Sequence, residues 1–156
     1  MRNRIQIRGD IDSGWAKLDW KFQEQDLTLL TSYIFDGLYN LLAAISALNA
    51  GVKKTEASLI DEPEEHIVHF IINDEKMVVI KIYSFDDWSK QPLADRINLE
   101  PSFTAKAPLK QLTNQIINLF EDFKVKYGIE GYNSRWGHEF PQQTITNLIN
   151  LTSRDL

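Results

Sequence analysis

The stretch HIVHFIINDEKMVVIKIYSF, residues 66–85, decides the fold of this chain. Two runs in which every second residue is apolar flank the polar turn Asn73-Asp74-Glu75-Lys76. This pattern predicts an antiparallel β-hairpin, because successive side chains of a strand point to opposite faces. The face expected to point into the core consists of Val68, Phe70, Ile72, Val78, Ile80 and Ile82. The opposite face also carries apolar residues, so we expect a later segment or a partner protein to cover part of it.

Further strands are predicted on both sides of this hairpin. Alternating apolar residues over 5–11 and 16–22, joined by Asp12-Ser13-Gly14, predict a first hairpin with one solvated face. Residues 56–60 predict one more strand. In the proline-punctuated segment 86–107, Ile97 and Leu99 indicate a short edge strand.

Helical periodicity appears in three places. Asp26 is predicted to cap a long central helix over 26–50, in which apolar residues recur every three or four positions. A second helix over 108–127 begins at Pro108 and ends at Gly128, followed by a loop over 129–140 and a short last helix after Pro141. The sequence thus predicts a single α+β domain, 1–156, with an antiparallel sheet of five to six strands packed against the long central helix and the second, C-terminal helix.

Four carboxylates lie within five residues at Asp61-Glu62-Pro63-Glu64-Glu65, between two predicted strands. Like charges in this arrangement repel one another by roughly 1 kcal/mol per exposed neighbouring pair. Such a turn is either a solvated loop or the complement of a positively charged surface, and the residues leave both interpretations open.

Composition narrows the class of protein. The chain has 156 residues, a formal net charge of −5 and no cysteine. An acidic chain is poorly suited to bind a phosphate backbone, so nucleic acid is not expected as a partner. The basic N-terminus is followed by alternating residues and no apolar run approaches a membrane span, so we expect a soluble, cytoplasmic protein without a membrane contact.

Catalytic, cofactor and metal motifs are not recognised in the sequence. His66 and His69 are three residues apart on a predicted strand and should point to opposite faces, so they are not expected to share an ion. Glycine-rich phosphate loops and a calcium-loop pattern are both missing. His138 and Glu139 could in principle perform acid–base chemistry, but no activated nucleophile accompanies them. We therefore predict no enzymatic activity, no cofactor and no metal.

The order of these elements resembles that of the small α+β immunity proteins encoded beside bacterial polymorphic toxins, including those of contact-dependent growth inhibition systems. The resemblance rests on short motifs: Ser32-Tyr33-Ile34-Phe35-Asp36, Asp61-Glu62-Pro63, Lys126-Tyr127-Gly128, Gly131-Tyr132, Trp136 and Phe140-Pro141. It implies that the chain binds and neutralises a cognate toxin domain, often a nuclease.

A nuclease holds a polyanion in a basic cleft, so an acidic inhibitor is attracted to the same site. On this basis the predicted partner-binding residues are Asp61, Glu62, Glu64, Glu65, Asp86 and Asp87, with Tyr83 and Trp88 as aromatic anchors. Two alternatives stay open at this point. One is a protein-interaction or regulatory module without a toxin, and the other is a small enzyme or ligand-binding domain built around Arg135, Trp136, His138 and Glu139.

Overall fold

The computed structural model of the chain describes residues 4–62, 64–86 and 100–153. Its elements, in chain order, are β1 (Gln6–Asp12), β2 (Trp15–Phe22), β3 (Gln25–Ser32), α1 (Gly37–Asn49), β4 (Lys54–Asp61), β5 (Glu64–Ile72), β6 (Met77–Phe85), β7 (Phe103–Pro108), α2 (Leu109–Trp136) and α3 (Gln142–Ser153). The strands form two antiparallel sheets in sequence order, β1-β2-β3 and β4-β5-β6-β7. The α+β class is confirmed, but the prediction of one sheet of five to six strands is wrong.

The β5–β6 hairpin has the predicted register and the predicted inner face. Val68 pairs with Ile82 and Phe70 pairs with Ile80. All six predicted core residues of this hairpin are buried. They join one hydrophobic cluster that includes residues of both sheets and of the three helices, so the two sheets share a core.

The predicted helix over 26–50 is correct only in its second half. Residues 25–32 form β3, in which Leu27 and Leu29 lie opposite Trp20 and Leu18 of β2. The apolar spacing that suggested a helix is accidental here, because Leu30 and Ile34 are exposed. Helix α1 starts only at Gly37. Pairing with β2 and burial of Leu29 outweigh the helical pattern.

Helix α2 covers the open edge of β1 with side-chain hydrogen bonds. The backbone amides of Ile5 and Ile7 donate to the side-chain oxygens of Gln111 and Gln115, at 3.2 and 3.1 Å. Two residues of a strand cover about 6.6 Å and four residues of a helix about 6 Å, so the two strand amides match the two helix side chains in spacing. An edge with satisfied amides is protected from pairing with another chain.

The C-terminal region is more helical than predicted. Residues 129–136 continue α2 beyond a kink at Gly128, where φ is 72° and ψ is 170°, so the loop predicted over 129–140 is mostly wrong.

The segment Phe103–Pro108 forms β7, a strand that was not predicted, while Ile97 and Leu99 lie outside the described residues. Within the ranges that the structure describes, no helix is long and apolar enough to cross a membrane.

Candidate partner-binding surface

The acidic turn, which we define as Asp61, Glu62, Glu64 and Glu65, connects β4 to β5. The two strands remain paired as far as Asp61 and Glu64. Because side chains alternate along a strand, Asp61 and Glu64 share the face that also carries His66, whereas Glu65 points to the opposite face. The four carboxylates are close in the sequence, but the strands place Glu65 on the face opposite to Asp61 and Glu64.

On the core-side face, the buried His66 lies next to the turn. Its Nδ1 is 2.8 Å from the hydroxyl of Ser84, and its Nε2 is 3.8 Å from a carboxylate oxygen of Asp61. Burial lowers the pKa of His66 below its usual range. Burial also raises the pKa of Asp61, and the charge of Glu64 acts in the same direction against the opposing effect of His66.

The remaining carboxylates of the turn differ in their exposure. Glu65 is buried and accepts a 2.5 Å hydrogen bond from the hydroxyl of Ser58. Glu62 and Glu64 are exposed. Long-range attraction between proteins acts mainly through charges in water, and Glu62 and Glu64 are the two exposed carboxylates of the turn.

The other predicted contact residues are placed only in part. Tyr83 is partly buried on the outer face of β6, and its ring contacts that of His69 edge-on, with 5.4 Å between centroids. Asp86 is exposed just after β6, and Asp87 and Trp88 lie outside the described residues. His66 and His69 project from opposite faces of β5, as the strand alternation predicts.

An exposed apolar segment that the sequence did not reveal lies beside the acidic turn. We define the aromatic loop as Tyr33, Ile34, Phe35 and Tyr39, which connect β3 to the first turn of α1. These side chains are 51%, 48%, 45% and 41% exposed, respectively. These residues fall within the long helix that was predicted over 26–50. The pair Asp36-Gly37 was the available signal, because aspartate is a preferred helix N-cap.

The aromatic loop is held in place by Asp36. One oxygen of this carboxylate accepts hydrogen bonds from the amide of Tyr39 at 3.0 Å and from the buried indole of Trp136 at 2.9 Å. The amide of Tyr33 donates to the carbonyl of Gly14, and the carbonyl of Tyr33 accepts a hydrogen bond from Nε2 of His138. The loop is therefore ordered before any partner binds, which lowers the entropic cost of binding.

The aromatic loop and the acidic turn meet at a cavity. It has a volume of about 220 Å³ and is lined by Phe35, Asn40, Ser58, Ile60 and Glu65. The hydroxyl of Thr31 on β3 also donates to the carbonyl of Ile60, 3.3 Å away on β4. The cavity thus brings Phe35 of the aromatic loop next to Glu65, the buried carboxylate of the acidic turn.

The segment around Arg135 to Glu139 has a structural role in this arrangement. Trp136 is fully buried, and Tyr132 and Phe140 pack ring to ring with 5.0 Å between centroids. Arg135 lies over the ring of Tyr127 at 4.7 Å and contacts Asp12 at 3.4 Å. These contacts attach the end of α2 to the rest of the protein.

Comparisons with models of known protein families, with curated proteins and with solved structures found no match to this chain.

Proposed function

We propose that this protein is an immunity protein that binds a basic toxin domain and neutralises it by protein–protein contact. The observation that carries the proposal is the exposed aromatic loop, which adjoins the acidic turn at the cavity lined by Phe35 and Glu65. The resemblance in the order of elements supports the choice of a toxin as the partner. The net charge of −5 favours a basic one.

The two parts of the surface would contribute differently to binding. Aromatic side chains supply most of the buried apolar area of a protein interface and are enriched among the residues that dominate affinity. Exposed charges at the rim act mainly on the rate of association, because they attract the partner before contact. The aromatic loop is accordingly the anchor, and Glu62 and Glu64 provide the attraction.

The target class follows from the same electrostatics. A nuclease must hold a polyanion, so its active cleft carries positive charge to which an acidic surface is complementary. We propose that the acidic turn occupies or flanks such a cleft. The proposal also places the protein in the cytoplasm, a reducing compartment with which a chain lacking cysteine is compatible.

The proposal is tested by identifying the partner and measuring protection. The tagged protein is used to capture its partner from cells that encode it, and the partner is identified by mass spectrometry. The partner is then expressed alone and together with this protein. The proposal requires a basic domain that stops growth when expressed alone and permits growth when co-expressed. A partner that is harmless alone, or toxicity that persists on co-expression, would contradict it.

A further inference from the structure

Three side chains with metal-ligating atoms converge on the core-side face of the acidic turn. One ligand atom each from Asp61, Glu64 and His66 lie within 4.8 Å of one another. The two carboxylates come from paired positions on β4 and β5, and the imidazole projects from the same face of β5. Two carboxylates held this close repel each other unless a positive charge lies between them.

The imidazole of His66 is the buried nitrogen ligand of this group. The residue is only 6% exposed, and its Nδ1 is 2.8 Å from the hydroxyl of Ser84. In the tautomer whose Nδ1–H donates to this hydroxyl, Nε2 carries the lone pair and is able to bind a metal ion. Among the residues that the structure describes, the nearest carboxylate oxygen, on Asp61, is 3.8 Å from Nε2 and too far for a direct hydrogen bond.

We propose that Asp61, Glu64 and His66 bind a divalent transition-metal ion of the Zn²⁺ class. Zn²⁺ accepts mixed nitrogen and oxygen ligands in a tetrahedral arrangement, whereas Ca²⁺ and Mg²⁺ prefer oxygen ligands alone. Two tetrahedral ligands on one Zn²⁺ are separated by about 3.4 Å, given bond lengths near 2.1 Å. The exposed Glu64 can approach the other two ligands by a change of rotamer.

No metal site was predicted from the sequence, because the shared face of His66, Asp61 and Glu64 depends on the β4–β5 register. A bound Zn²⁺ would offset the charge of Glu64, so metal binding is tested on the protein alone, without the toxin partner.

The test is metal binding by the purified protein after treatment with EDTA and dialysis. Zn²⁺ binding is measured by isothermal titration calorimetry at about pH 7, and Co²⁺ is added as a spectroscopic probe of tetrahedral coordination. The variants are His66→Gln and Glu64→Gln. The control is His69→Gln, on the same strand, which removes a histidine paired with a single carboxylate, Glu56, at 3.0 Å.

We expect one Zn²⁺ per chain, and a melting midpoint raised by about 5 to 10 °C at a hundredfold excess over the dissociation constant. Both site variants should weaken Zn²⁺ binding at least tenfold, and the His69→Gln control should leave it unchanged. Because Glu64 is exposed, Glu64→Gln retains the fold and gives an interpretable result even if His66→Gln does not fold. No saturable binding, or binding that Glu64→Gln leaves intact, would overturn the proposal.

Discussion

Replacing Asp36 by alanine should destabilise the protein by removing the acceptor that fixes the aromatic loop. The substitution deletes the N-cap of α1, which is worth about 1 kcal/mol. It also leaves the buried indole N–H of Trp136 without its partner, at a further cost of about 1 to 3 kcal/mol. The sum is roughly 2 to 4 kcal/mol, which corresponds to a fall in melting midpoint of about 6 to 12 °C in a chain of this size.

Asp36→Asn is the matched control for this experiment. Both hydrogen bonds go to the same carboxylate oxygen, Oδ1, so an asparagine side chain retains the acceptor. We expect this variant to lose less than about 1 kcal/mol. Stability is measured by urea denaturation and by thermal melting. Equal stability of the alanine and asparagine variants, or a loss below about 1 kcal/mol for alanine, would refute the role assigned to Asp36.

Three further substitutions test the core and the surface. Leu41→Ala on the buried face of α1 should lower the free energy of unfolding by about 2 to 5 kcal/mol in urea denaturation, and an unchanged midpoint would show that α1 is not central. Tyr132→Phe should leave stability unchanged or raise it, because the buried hydroxyl has no hydrogen-bond partner in the part of the chain that the structure describes; a lower melting midpoint would count against this. The hydrogen bond and charge of Lys126 lower the pKa of Asp10, so their pair stabilises the fold above the usual aspartate pKa of 3.8 and this contribution disappears as the pH falls through the lowered value. Because the pair is exposed, Asp10→Asn should lower the free energy of unfolding by less than about 1 kcal/mol near pH 7. At a pH below the lowered pKa of Asp10 the variant should be as stable as the original protein, and a loss of stability that persists there would contradict the assignment.

The parts of the fold that local patterns determine could be predicted from the sequence. The β5–β6 hairpin was found because strict alternation and a polar turn leave a single register that buries one face. Helix α1, the second half of the predicted helix, was found because Leu41, Ile45 and Leu48 repeat at helical spacing and are all buried. These signals lie within the element itself and need no knowledge of its neighbours.

The errors occurred where a distant partner determines the structure. Strand β3 forms because Leu27 and Leu29 pair with Trp20 and Leu18, which outweighs an accidental helical spacing. The contribution of Gln111 to the edge of β1 spans more than a hundred residues of sequence and has no local signal.

The candidate site shows the same division between local and distant information. The acidic turn was evident from the local sequence alone. The aromatic loop was hidden by the incorrect helix, and the separation of Glu65 from Asp61 and Glu64 required the register of β4 and β5.

The contribution of the aromatic loop can be separated from that of the charges. Ile34→Ala with Tyr39→Ala removes two exposed apolar side chains of the loop, and Val125→Ala, which removes an 85% exposed side chain from α2, is the control. In surface plasmon resonance with the purified partner, the double variant should dissociate at least tenfold faster, with little change in association. Equal dissociation rates for the double variant and the control would exclude the loop from the interface.

The most direct test of the central claim is the association rate of the purified pair at low and high salt. Glu62→Lys with Glu64→Lys reverses the two exposed charges of the acidic turn. The control, Asp74→Lys with Glu75→Lys, makes the same change of net charge in the turn at the other end of β5. The two turns are separated by about 30 Å of extended strand, several Debye lengths at physiological salt.

We expect reversal in the acidic turn to slow association roughly tenfold near 0.1 M salt, where the Debye length is about 10 Å, and to reduce its dependence on salt, whereas the control changes it little. Equal association rates for the two double variants would contradict the assignment of the acidic turn to the interface.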